Sequence, residues 1–545
     1  MTRVTAPTGA RAGSPIIGAL IAGVLLLLGL GAWAIASPVG SSPDEDFHLA
    51  SIWCGDGERE GLCAPGSEPD TRMIPDNIED AICFAHEPGE SGACQGEGFL
   101  DGSFGLAESD RVNGDGLYPS GYYFWTGLLA SDNMVVSVIA MRFAQAFLFT
   151  ALSIGLWLLL PRRNRAAYVG AIVSTFIPLG VFLIPSINPS GWAIASSALL
   201  IPSLVGYLTE RGWRSLALGG YAVLAVALGL AARGDSAAYT IIAVLAALVL
   251  TFELTRGYWV RAVLPILMVV AAAVAFLSAN QTSSALGGGM ALDGAAAVPK
   301  KALLLNNAID LPELLLGVLG QNFERSPYTG LGWLDTPLPA LVWVPTTLVF
   351  GGVLFASFAR MDLRRAIALA GVALATVGIP MILLLQNNVG VGWQVQPRYI
   401  MPLVVMLMAT ALTPTGRGER EAIHGTGIDA RAPLFGIPQL WAGAALLAVA
   451  NSVALYTNMV RYVAPGEIGF GSIDWWWRVG PSPTAVWAIG SLAVAALLAL
   501  GAWHGGREIA AERGSVNTRA DERADDERDD NSQLQTAERG GEQRD

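Results

Sequence analysis

The 545-residue chain is 53% hydrophobic and only 14% charged, with a net charge of −12 and a mean hydropathy of +0.48. Soluble domains carry about 25% charged residues, so this composition excludes an ordinary soluble protein. The negative charge is segregated into one loop and the carboxy-terminal tail, and no nucleic-acid partner is expected from it.

Runs of roughly 18 or more residues with few charges mark membrane spans. They predict an all-α integral membrane domain over residues 15–503 with about twelve transmembrane helices. The spans fall near 15–38, 134–160, 166–184, 191–208, 215–232, 237–254, 260–278, 339–358, 366–386, 399–413, 436–456 and 484–503. The apolar runs are uniform and lack the one-sided stripe of a surface helix. Arginines gather in alternate loops: Arg162, Arg163 and Arg165; Arg211 and Arg214; Arg256 and Arg261; Arg360, Arg364 and Arg365; Arg417 and Arg420. With Arg3 and Arg11 before the first span, the positive-inside bias puts both termini in the cytoplasm of a bacterial plasma membrane. Residues 1–14 then form a cytoplasmic amino terminus, and the loops at about 39–133, 279–338, 387–398 and 457–483 lie outside. Residues 504–545 are mixed in charge, lack periodicity and read as a disordered cytoplasmic tail.

The first outer loop opens with SSPDEDFH, residues 41–48, directly after the first span. Asp44, Glu45, Asp46 and His48 therefore stand at a membrane surface. A carboxylate there can deprotonate an acceptor hydroxyl or hold a divalent metal, for which Asp44 and Glu45 are the candidates. Neighbouring carboxylates repel, so one of them is expected to have a raised pKa. The plain alternative is a solvated acidic turn that caps a helix. All four cysteines, Cys54, Cys63, Cys83 and Cys94, lie in this loop, as expected of two disulfides in an exported segment. Cys54–Cys63 with Cys83–Cys94 is the simplest of the three possible pairings. The aromatic stretch at 113–127 reads as a short helix along the interface. SINPSGW, residues 186–192, reads as a tight turn and helix start, and Trp475, Trp476 and Trp477 read as a membrane anchor.

A second group of arginines sits away from the basic loops. Arg142 lies inside the second span, Arg233 after the fifth beside Asp235, Arg398 and Tyr399 in QPRYIMP, and Arg461 after the eleventh. A charge in apolar surroundings costs several kcal/mol unless paired. Pairing with Asp44, Glu45, Asp235 or Asp335 would answer that cost. The functional alternative is that these guanidinium groups hold an anionic phosphate, with Asp46, Trp333 and Asp335 completing a binding surface. No Walker A loop, GxSxG elbow, HExxH or dinucleotide fingerprint occurs.

In order, PDEDFH, YPSGYY, Arg142, SINPSG, LGWLDT and QPRYIMP resemble the actinobacterial members of the predicted membrane protein family named domain of unknown function 2142. More distantly, the chain resembles the GT-C glycosyltransferases. The resemblance covers roughly residues 15–480. It implies a GT-C-like fold, a polyprenyl-phosphate-linked sugar donor drawn from membrane lipid, and a cell-envelope glycan acceptor. It places Asp44, Glu45 and His48 in a catalytic DE-x-x-H-like arrangement and Arg398 at the donor phosphate. Ser190 stands where an acidic residue is common in the family, which removes support for a role of that turn. Fold analogy does not establish activity. Two other functions compete with a sugar transferase: a transporter or lipid-linked sugar flippase, and a non-catalytic envelope assembly protein. The transporter reading lacks the paired broken helices and midplane charges of two related halves.

Overall fold

A computed structural model describes residues 15–96, 99, 101–289, 298–324, 329–415, 434–470, 475–477 and 480–510. The expected cytoplasmic amino terminus at 1–14 lies outside these residues, as does the expected tail beyond 510. Among the described residues, nine helices are long and apolar enough to cross a membrane, and two shorter apolar helices, Ser236–Thr251 and Pro397–Leu412, join them.

These eleven match eleven of the expected spans. The remaining one, at 166–184, is broken into Arg162–Thr175 and Pro178–Leu183. Pro178 has no N–H to donate and disfavours helical geometry in the residue before it. Ile177 is accordingly extended, with φ −72 and ψ 153. The last helix, Pro483–Ala510, runs past the expected end at 503.

Packing differs sharply among the helices. Ser190–Thr209 is 89% buried, whereas the other spans range from 22% to 50%. It contacts Trp213–Ala232, Ser236–Thr251, Pro397–Leu412 and Arg162–Thr175. Its small residues, among them Ala193, Ser196, Ser197, Ala198 and Gly206, allow that close approach. A Cβ on Gly206 would stand 2.7 Å from Leu218 Cδ1. Outward-facing Leu216, Leu267, Val274, Phe355 and Leu374 remain exposed, as lipid-facing positions require.

The two ends of the bundle differ in chemistry. At one end Arg163 pairs with Glu210, and Arg261 donates to the Leu208 and Glu210 carbonyls, tying three basic loops together. A helix of 20 residues separates Glu210 from Ser190, about 30 Å along the axis. The Ser190 end carries the acidic loop.

That loop folds around a three-stranded antiparallel sheet, Ala64–Pro65 against Arg72–Pro75 against Leu106–Ser109. The disulfides are Cys54–Cys63 and Cys83–Cys94, which resolves the three pairings open in the sequence. The expected interfacial helix forms at Ser120–Gly127, with Phe124 and Trp125 exposed and Tyr122 and Tyr123 buried. Two of the three expected anchor tryptophans turn into the protein. Trp476 and Trp477 are buried, and Trp477 donates to the Ile35 carbonyl at 2.8 Å. This indole satisfies a terminal carbonyl of the first helix, which would otherwise lack a partner.

Candidate functional site

After the Pro15–Ile35 helix the chain reverses through Ser37–Pro43 and enters the short helix Glu45–Trp53. Asp44 is its N-cap, in the left-handed region with φ 57, a conformation that aspartate tolerates better than most residues. The usual N-cap hydrogen bond is absent. The carboxylate instead accepts from Arg398 Nη2 at 2.6 Å, and Arg398 Nη1 donates to the Pro43 carbonyl at 3.3 Å. The backbone kink is thus what aims Asp44 at a helix more than 350 residues away.

The three consecutive carboxylates go to three different arginines. Glu45, fully buried, accepts from Arg142 Nη2 at 2.9 Å and from the Ser42 N–H at 2.7 Å. Arg142 also donates to the carbonyls of Ala34, Ser37 and Pro38. This arginine therefore satisfies the end of the first helix and fixes the chain reversal. Glu45 was expected beside Asp44 as a catalytic carboxylate and Arg142 as a phosphate ligand. Both are buried, with side chains 0% and 2% exposed, and are paired with each other. Asp46 pairs through both oxygens with Arg111, which is half exposed.

Asp335 and Arg461 form a second such pair. They meet at 2.9 Å with side chains 3% and 5% exposed. Arg461 donates in addition to the carbonyls of Phe84, Glu87 and Glu90, so the Ile437–Val463 helix grips the disulfide-bonded loop. Trp333 donates to the Gly40 carbonyl at 2.8 Å. These three expected binding residues hold the loop in place and do not join the Asp44 cluster.

Around Asp44 the character changes. Its side chain is 41% exposed, against 3% for Arg398. Arg233 is clamped by Asp235 at 2.7 Å and reaches Ser190 Oγ at 3.3 Å. Its guanidinium lies 4.9 Å from the centre of the Tyr399 ring and 5.9 Å from that of Tyr118. Arg398 lies 5.1 Å from the same Tyr399 ring. Two cations thus lie close to one aromatic ring beside one accessible carboxylate. Tyr239 braces the group, its hydroxyl bonding to Asp235 and to the Tyr399 carbonyl.

His48 is buried one helical turn from Asp44, and its Nδ1 shares a hydrogen with the Tyr123 hydroxyl at 3.0 Å. Its ring packs 5.4 Å from that of Tyr118. Burial, aided by the charge of Arg398 and opposed by that of Asp44, drives the imidazole pKa down to about 3. His48 is therefore neutral at pH 7. Burial also pushes the Tyr118 hydroxyl up to about 12, so it remains a donor. For Asp44, burial acts upward, but the charges of Arg398 and Arg111 outweigh it and hold the carboxyl below the usual carboxylate range. The carboxylate is ionised at neutral pH, so for Asp44 the effect of its arginine partner outweighs any upward push from its neighbours.

The two candidate metal ligands, Asp44 and Glu45, do not converge on one point, each facing a different arginine. Among the described residues no three His, Cys, Asp or Glu side chains converge to hold a metal ion.

The sequence motifs meet here. Asn188 of SINPSG donates to the Pro43 carbonyl at 2.9 Å, and Ser42 donates to the Ile187 carbonyl at 3.2 Å, so that turn buttresses the acidic segment. Tyr118 and Tyr123 come from YPSGYY, which carried no assigned chemistry in the sequence, and Arg111 and Tyr239 carried no signal at all. Their roles arise only from packing.

A multi-spanning helical membrane protein with a disulfide-bonded loop and a mixed-charge cluster at one end is the class defined by this fold and site. The chain belongs to the family described as predicted membrane protein (DUF2142), whose sequence model matches residues 26–407. Among the solved structures that align with it are two of ArnT from Cupriavidus metallidurans. The one bound to undecaprenyl phosphate has a TM-score of 0.39 at 12% identity, covering 92% of this chain and 78% of that one. The apo form has a TM-score of 0.39 at 10% identity, covering 91% and 78%. At that TM-score the likeness carries no weight about activity. No curated protein matches.

Proposed function

We propose that the protein transfers a sugar from a polyprenyl-phosphate donor to a cell-envelope acceptor at the outer face of the plasma membrane. The observation that supports this reading is the pairing of the partly open Asp44 carboxylate with Arg398, beside Arg233 and the Tyr399 ring near both arginines. Arginine placement in the sequence supports the outer orientation, and the ordered motifs support a GT-C-like transferase.

Asp44 is the base in this proposal. The acceptor hydroxyl attacks the anomeric carbon, the bond from that carbon to the phosphate oxygen breaks, and its electron pair leaves with the phosphate. The hydroxyl proton passes to Asp44. Arg398 and Arg233 neutralise the charge that grows on the phosphate. Arg398 has two anionic partners to choose from. When the donor phosphate draws it away from Asp44, the carboxylate loses its counter-ion and its proton affinity rises. Donor binding would thereby switch on the base. His48, held neutral, and Tyr118 line the cluster as polar but uncharged walls.

The test is release of polyprenyl phosphate from a labelled donor by purified protein. Wild type should release it, and Asp44→Asn should lower the rate by about 100-fold or more while folding is kept, a typical cost for losing a general base. Equal rates would refute the assignment of Asp44. Movement of intact donor across the bilayer without release would favour the flippase.

A further inference from the structure

Arg233 and Arg398 come from separate helix ends, and a single phenol joins the segments that carry them. Tyr239 lies in the Ser236–Thr251 helix, one turn after the N-cap residue Asp235, and is buried. Its hydroxyl bonds to Asp235 Oδ2 at 3.2 Å and to the Tyr399 carbonyl. A phenol carries one hydrogen, whereas a carbonyl and a carboxylate paired with an arginine only accept. Two acceptors therefore share one hydrogen. With the ion pair closed, Arg233 donates to Asp235 from Nε at 2.9 and 3.2 Å and from Nη2 at 2.7 Å. The carboxylate is then well served, and the Tyr239 hydrogen can go to the Tyr399 carbonyl.

Opening that pair changes the balance. Among the described residues the side-chain partners of Asp235 are Arg233 and Tyr239, and the carboxylate makes no capping bond to its own helix. The peptide between Arg233 and Asp235 is tied separately, because the Gly234 N–H donates to Gln281 Oε1 at 2.8 Å. Asp235 therefore stays beside Tyr239 when the Arg233 side chain swings away. A hydrogen bond to a charged acceptor is stronger than one to a neutral carbonyl, so the hydrogen follows the uncovered carboxylate.

We infer that Tyr239 is a positioning residue for phosphate binding: its hydroxyl takes over Asp235 when a phosphate draws Arg233 off that carboxylate. The inference rests on the transferase reading, because it requires the donor phosphate to lie at Arg233. No covalent bond changes, and one hydrogen bond replaces another. The same shift releases the carbonyl of Tyr399, the neighbour of Arg398, as Arg398 turns from Asp44 to the phosphate. Without the hydroxyl, recruiting Arg233 leaves Asp235 to water, which reaches it only in part, since the side chain is 30% exposed.

The experiment is equilibrium binding of citronellyl phosphate to purified full-length protein carrying Tyr239→Phe, Asp235→Asn or both. Tyr239→Phe should weaken binding about fivefold, the scale of one lost hydrogen bond. On the Asp235→Asn background no charge is uncovered, and the same substitution should change binding by less than about twofold. A hydroxyl that only props the fold would cost the same on both backgrounds. That result, or wild-type affinity in Tyr239→Phe, overturns the inference and leaves the transferase reading standing. If Tyr239→Phe does not fold, Tyr239→Met takes its place in the same pair of measurements. Failure of both to fold shows a structural prop and overturns the inference as well. Failure of wild type to bind citronellyl phosphate overturns both the inference and the transferase reading.

Discussion

Glu45 and Asp44 are adjacent in sequence and opposite in circumstance. Glu45 faces Arg142 with nothing exposed, whereas Asp44 turns through a left-handed backbone toward Arg398 and partly into the open. Removing one partner of a buried pair leaves the other charge uncompensated, at a cost of about 3–5 kcal/mol. Glu45→Gln should therefore lower the unfolding temperature substantially, and any protein that does fold should retain its activity per folded molecule. Thermal unfolding followed alongside specific activity checks both halves. His48 gives a second expectation. Its folded pKa of about 3 lies below the unfolded value near 6.5, so the unfolded chain binds more protons across that window. Stability from this group is complete above about pH 6.5 and is lost as pH falls toward 3. Lowering the pH from 7 to 5 should reduce the unfolding temperature of wild type more than that of His48→Gln. Equal slopes would show that the imidazole does not govern this range.

At the scale of elements, the first loop is a folded unit clasped to the bundle at several points. Arg461 holds residues 84–90, Trp333 holds Gly40, and Gln95 donates to the Val39 and Ala81 carbonyls. Cys83–Cys94 closes the segment that Arg461 grips. Replacing both cysteines by alanine should cost about 2–4 kcal/mol and expose residues 84–94 to protease. Unchanged protease resistance would show that Arg461 alone suffices. Most of these elements were legible in the sequence. Helix positions follow from apolar runs, because lipid demands length and composition alone. The break at Pro178 was missed because the apolar pattern continues across it, although the proline itself was a local signal. The fate of Trp476 and Trp477 was misread for a related reason: tryptophan suits a membrane interface and a buried carbonyl partner equally well.

For the whole molecule, the decisive arrangement is convergence at the Ser190 end of the bundle of side chains far apart in the sequence. Sequence reasoning singled out Asp44, Arg233, Arg398 and Tyr399, since each is a polar group at a place that penalises one. It could not separate them from Arg142, Arg461, Glu45 and Asp335, which carry the same signature. Only the carboxylates differ in access, Asp44 being 41% exposed against 0% for Glu45 and 3% for Asp335, while the arginines of both sets are buried, and access is a property of packing. The structure seals two ion pairs as locks for the first loop and leaves one carboxylate open beside two cations. The most direct test is the Kd for decaprenyl phosphate of Arg398→Gln and Arg461→Gln, compared at matched folded fractions. Charge-assisted hydrogen bonds contribute about 1.5–3 kcal/mol, so Arg398→Gln should weaken binding by roughly 10- to 100-fold, and Arg461→Gln should leave it within about twofold. Equal losses in the two variants, or tight binding retained without Arg398, would contradict the division between site and lock.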